Sequence, residues 1–87
     1  MESINVSNII DAFRDAISDS NDIRKAVYGD NPVPEQIEDT ILALSSINFA
    51  DLLIDVENRL GVDFAEEFMT MSKISIGDLA RMIESHV

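Results

Sequence analysis

The chain has 87 residues, no cysteine, and six basic against seventeen acidic residues, for a formal charge of −11. That length suits a single domain, residues 1–87, with no surplus for a second. The missing cysteines exclude a disulfide framework, a thiolate metal site and a cysteine nucleophile, and the charge argues against nucleic acid as a partner, because phosphate binding needs the opposite sign.

Apolar residues make up 46% of the chain, twelve of them isoleucine, which is a normal share for a folded domain. Stability in so short a chain without cross-links must come from helix packing. The longest apolar run is the four residues Ile41 to Leu44, against the ~20 needed to cross a bilayer. Met1, Glu2, Ser3 and Asn5 lack the basic start and apolar run of a secretory signal. The expectation is a cytoplasmic monomer with no membrane association. Charge is unevenly spread: residues 30–67 hold ten acids and one base, whereas residues 68–87 hold two of each. The middle of the chain offers an acidic surface to something basic.

In chain order, Val6, Ile9, Ile10, Phe13, Ala16 and Ile17 recur at helical spacing and predict an amphipathic helix from Asn5 or Ser7 to about Asp19. The polar cluster Ser18 to Asp22 ends it. Ile23 to Tyr28 has the pattern of one or two further turns before Gly29. Asn31-Pro32-Val33-Pro34 predicts a loop, since each proline lacks an amide donor and biases its predecessor away from helical angles. Glu35 to Leu44 reads as a tethered connection with room for a short helical piece, anchored by Ile37, Ile41, Leu42 and Leu44. A second strong helix opens at Ser45-Ser46 and runs from Ile47 to Leu60, with serine as a favoured N-cap and Gly61 as the closing residue. Val62 to Phe64 forms a turn and Ala65 to about Thr70 a short helix. Ser75-Ile76-Gly77-Asp78 has capping-box spacing, and Ile76, Leu79, Ala80 and Ile83 make the apolar stripe of a last helix. No strand alternation is visible. The fold class is all-α, three main helices plus one or two short ones.

No constellation in the sequence supports catalysis. His86 sits one residue from the C-terminus, where chains fray. The acids lack the alternating ligands and bend glycine of a calcium loop, so no metal site is expected. Paired carboxylates such as Glu66-Glu67 read as a solvated face. The informative stretch is Ser46 to Gly61. Phe49, Leu52, Leu53, Val56 and Leu60 already provide a wide core face, and Ile47, Ala50 and Ile54 form a second stripe beside Asp51, Asp55, Glu57 and Asn58. Such a surplus stripe flanked by acids is consistent with a docking surface, and equally with a wide core face and its solvated margin.

Leu42-Ala43-Leu44-Ser45-Ser46-Ile47 resembles the Leu-Gly-Leu-Asp-Ser-Leu motif of the acyl and peptidyl carrier proteins, whose serine carries 4′-phosphopantetheine. Gly61-Val62-Asp63-Phe64 is similar to the turn after that family's second helix, and Ser75 to Ile83 to its last-helix pattern Thr-Val-Gly-Asp-Leu-Val-x-x-Ile. The resemblance is close over residues 41–87 and general before them. It implies an acyl-carrier-like bundle, and a free-standing, non-catalytic carrier that holds acyl or aminoacyl thioesters on 4′-phosphopantetheine. Ser46 is the implied attachment site, because the register to Gly61 and the apolar successor Ile47 both favour it over Ser45. The implied partners are a phosphopantetheinyl transferase and loading or transfer enzymes that are basic at the contact, docking on Ile47, Ala50, Asp51, Ile54, Asp55 and Glu57. Phe64, Phe68, Met69 and Met71 are implied to border a shelter for the carried chain. Two departures stand out: Ser45 and Ala43 replace the family's aspartate and glycine, and the first loop is longer, with Ile23 to Pro34 as the surplus. The alternative reading is an acidic helical interaction module without a prosthetic group.

Overall fold

The computed structural model describes residues 4–71 and 73–87. Met1, Glu2 and Ser3, which enter the reading against a secretory signal, lie outside the described residues. The described chain is mostly helical: α1 (Val6–Asp19), α2 (Asn21–Tyr28), α3 (Ser46–Leu60), α4 (Ala65–Phe68) and α5 (Ile76–His86), with two short strands, β1 (Ile41–Leu42) and β2 (Ile74–Ser75). No described helix is long and apolar enough to cross a membrane.

Helix α1 starts where asparagines close a reciprocal cap. The Asn5 side chain accepts from the Asn8 amide at 2.9 Å, and the Asn8 side chain accepts from the Asn5 amide at 3.4 Å. Its buried face is Ile9, Ile10, Ala12, Phe13, Ala16 and Ile17. A single residue, Ser20, then does two jobs. It ends α1 and caps α2, its Oγ accepting from the Ile23 amide at 3.4 Å. Helix α2 stops at Gly29, whose φ of 64° is readily adopted only by glycine.

The connection from Gly29 onward contains no helix. Ile37 and Leu42 are fully buried, as expected of anchors, but Ile41 is 51% exposed. The reason is the strand pair: β1 and β2 are antiparallel, with Ile41 opposite Ser75 and Leu42 opposite Ile74, and extended backbone turns neighbouring side chains to opposite faces. This pairing replaces the helical piece for which the connection had room. A two-residue strand carries too little alternation to be legible in one sequence.

Helix α3 is capped by Ser45 and closed by Gly61 in the left-handed conformation (φ 71°, ψ 29°). It buries Phe49, Leu52, Leu53 and Val56, whereas Leu60, expected in the core, is only half-buried. Helix α1 packs against both α3 and α5 and forms the centre of the domain. The start of α1 is tied to the end of α5 by the Val6 amide, which donates to Glu84 Oε2 at 3.0 Å. Ile76, Leu79, Ala80 and Ile83 of α5 complete the core.

Candidate functional site

Ser45 and Ser46, alike in chemistry, occupy different positions in the turn that opens α3. The Ser45 Oγ accepts from the Asn48 amide at 3.2 Å, and the Ser45 carbonyl accepts from the Phe49 amide at 2.8 Å. Ser45 is therefore the cap. Ser46 is the first helical residue, and it is exposed. It lies at the positive end of a 15-residue helix, where first-turn amides lack partners within the helix and negative charge is favoured. The side chain at that position is open to solvent and a negative charge there is favoured.

Next to Ser46 the second apolar stripe faces solvent. Ile47 is 75% exposed and Ile54 is 41% exposed, while Ala50 between them is half-buried. Burying one fully exposed side chain of this size is worth roughly 1.5–3 kcal/mol, and the exposed parts of the two isoleucines together amount to about one such side chain. Helical spacing puts Asp51, which is exposed, beside the two isoleucines.

The other acids of this face are committed elsewhere. Asp55 pairs with Arg59 at 2.9 Å, and Arg59 also reaches Asp19 of α1 at 2.6 Å. The hydrogen bonds that Arg59 donates, to Asp19 foremost and then to Asp55, hold its pKa above the ordinary value. Glu57 turns toward α4. Its Oε2 accepts from the amides of Phe64 at 2.9 Å and Ala65 at 3.0 Å, and these donors, Ala65 foremost, hold its carboxyl below the usual 4.5. Of the three charged residues predicted to dock partners, Asp51 is the one that presents its charge without a structural task of this kind. Glu57 caps a helix instead.

The residues expected to shelter cargo come together in space but divide into two layers. Phe64 and Phe68 are 2% and 7% exposed, with ring centroids 6.3 Å apart, and belong to the core. Met69 and Met71 are half-buried and pack on its outside. His86 is exposed in the last turn of α5 with its ring edge-on to Phe68 at 5.6 Å, and shares with Glu57, Asp63, Phe64, Glu66 and Glu67 the lining of an open cavity of about 460 Å³.

Two features here were missed by sequence reasoning. Thr40 bonds to Tyr28 of α2, a pairing with no sequence signal. Gly77 lies inside α5, where a Cβ would come within 3.1 Å of the Glu38 carbonyl oxygen. A glycine inside a helix is itself a signal of close approach, because alanine would be the better helix former by about 1 kcal/mol. Comparison with protein-family models, curated proteins and solved structures found no match to this chain.

Proposed function

We propose that this chain is a carrier of the acyl carrier type, with Ser46 as the attachment point for 4′-phosphopantetheine and with the α1, α3 and α5 packing as its carrier-like bundle. The observation that supports this most is the division of labour between the serines. Ser45 takes the cap and leaves Ser46 exposed at the first position of α3, next to the solvent-facing Ile47. The serine motif and the free first-turn position of Ser46 both support this residue as the attachment point.

In the modification step, the Ser46 Oγ forms a bond to the phosphorus of coenzyme A that bears the pantetheine arm. The bond from that phosphorus to the bisphosphorylated adenosine breaks, and the hydroxyl proton passes to a base of the transferase. Once attached, the arm supplies a thiol that holds acyl or aminoacyl cargo as a thioester. The chain's own contribution is position and recognition. The first turn of α3 favours the phosphodiester charge, Ile47, Ala50 and Ile54 offer apolar contact, and Asp51 attracts a basic partner. Asp55 and Glu57 act on docking only through the shape and charge of the helix end they hold. Met69 and Met71 border the space where a carried chain would rest, as flexible side chains fill irregular gaps at little strain. The carrier works as a cytoplasmic monomer and has no catalytic residue of its own.

Intact mass tests the reading. Incubation with coenzyme A and a broad-specificity transferase is expected to add the ~340 Da arm of this group-carrier class to the chain and nothing to Ser46→Ala. No added mass on the wild-type chain would leave the acidic interaction module as the better reading.

A further inference from the structure

The segment that leads into Ser46 is stitched to the start of α5 by its backbone. The Gly77 amide donates to the Glu38 carbonyl at 2.9 Å, the Ile76 amide to the Thr40 carbonyl at 2.9 Å, and the Lys73 amide to the Leu42 carbonyl at 3.2 Å. Thr40 is the node of this seam. Its amide donates to the Ile37 carbonyl at 3.0 Å, its carbonyl takes the Ile76 amide, and its hydroxyl meets the Tyr28 hydroxyl at 2.9 Å. Three groups of one residue therefore hold its own turn, α5 and α2.

Tyr28 is the last residue of α2. It is half-buried and packs on the core, so its ring fixes where its hydroxyl stands, as expected for an aromatic body with a polar tip. Irregular segments held by two-residue strands open at lower cost than helices do. A side-chain bond at the node therefore bears on how often this segment is in place.

We propose that Tyr28 is a positioning residue for the modification of Ser46: through the Thr40 hydroxyl it holds residues 40–45 against the start of α5, so that Ser46 meets a transferase in one conformation. This rests on the carrier reading. Helix α2 is then a brace for the attachment segment. A hydrogen bond of this kind shifts an opening equilibrium by roughly 2- to 12-fold. An apparent affinity falls by as much as the fraction of molecules in the competent state falls, for which that factor is the upper limit. Losing the bond should therefore raise the transferase KM and leave kcat alone, since the chemistry at Ser46 is untouched once the segment is seated.

The test uses the full chain as wild type, Tyr28→Phe, Thr40→Val and Thr40→Ser. Arm addition from coenzyme A by a broad-specificity transferase is followed by intact mass, and amide exchange is measured in parallel. Tyr28→Phe and Thr40→Val are expected to raise KM for the carrier at unchanged kcat, by at most the roughly 2- to 12-fold by which the bond shifts the opening equilibrium. They should also speed exchange at the Thr40 and Ile76 amides while Leu53 and Val56 in α3 keep theirs. Thr40→Ser retains the hydroxyl and should match the wild type. Equal KM across the variants, or a uniform acceleration of every amide, overturns the positioning role while Ser46 modification stands. If the wild-type chain takes up no arm, the carrier reading falls, and Tyr28's part in modification falls with it.

Discussion

Glu57, one turn before the end of α3, and Ala65, the first residue of α4, are joined by a 3.0 Å hydrogen bond from the Ala65 amide to the Glu57 carboxylate. With the parallel bond from Phe64, it fixes the turn around Gly61 and starts a helix that has no side-chain cap of its own. These bonds favour the ionised carboxylate, so its pKa in the folded chain lies below the ordinary 4.5. The stabilisation is complete above the unfolded-state pKa and is lost as pH falls through the folded-state value. Stability should therefore decline on acidification below about pH 4.5, with Asp78, whose pKa is lowered first by Arg81 and then by Ser75, contributing in the same direction. Glu57→Gln should lower the melting temperature at neutral pH and flatten that acid dependence. Thermal melts between pH 3 and 7 read both, and an unchanged slope in the variant would assign the acid sensitivity elsewhere.

Ser45→Ala and Ser46→Ala should separate folding from modification. The first removes the cap of α3 and is expected to cost about 0.5–2 kcal/mol while leaving the chain competent to take the arm. The second should leave the denaturation midpoint nearly unchanged and abolish arm addition. Ser45→Asp keeps a capping oxygen and restores the acid that the resembled motif carries, so the modification rate should rise at unchanged stability. Denaturant titration and intact mass on the three variants check these outcomes. Loss of the arm in Ser45→Ala alone would move the attachment site.

Charge reversal at Asp51 should slow loading and transfer by basic partners without altering the helical circular dichroism. Exposed charges are screened over about 8 Å at physiological ionic strength, so the defect should shrink as salt rises, while Ile47→Ala and Ile54→Ala should weaken the contact at every salt concentration. Equal rates for wild type and Asp51→Lys at low salt would count against this face as the docking surface.

Gly77→Ala should destabilise the domain, against the usual sense of a helix-interior glycine replacement. The new Cβ would stand 3.1 Å from the Glu38 carbonyl oxygen and 3.4 Å from its Cβ, and that carbonyl is itself held by the Gly77 amide. Crowding of this kind costs about 1–3 kcal/mol, which exceeds the ~1 kcal/mol that alanine gains in helix propensity. Urea denaturation measures the balance. A variant as stable as the wild type would show that the connection can move away.

Ile9, Phe13, Leu52, Leu53, Leu79 and Ile83 announce their helices because apolar side chains must recur every three or four residues to share one buried face, a constraint written in order along the chain. Asn5, Ser20, Ser45 and Gly61 mark ends for equally local reasons: their own side-chain oxygens or backbone freedom satisfy the turn next to them. The exposed stripe of Ile47 and Ile54 was legible on the same terms. Only the tertiary structure assigned the tasks that depend on partners far away in the chain. It turned Glu57 from the docking face to the amides of α4 and bound Asp55 into the Arg59 and Asp19 cluster. It also exposed Ile41 by pairing β1 with β2, and made Thr40 the junction of α2, the connection and α5. A carboxylate or hydroxyl carries the same symbol whether it meets water or a remote amide, and the choice between them is made by which backbone groups the packed helices bring within 3 Å.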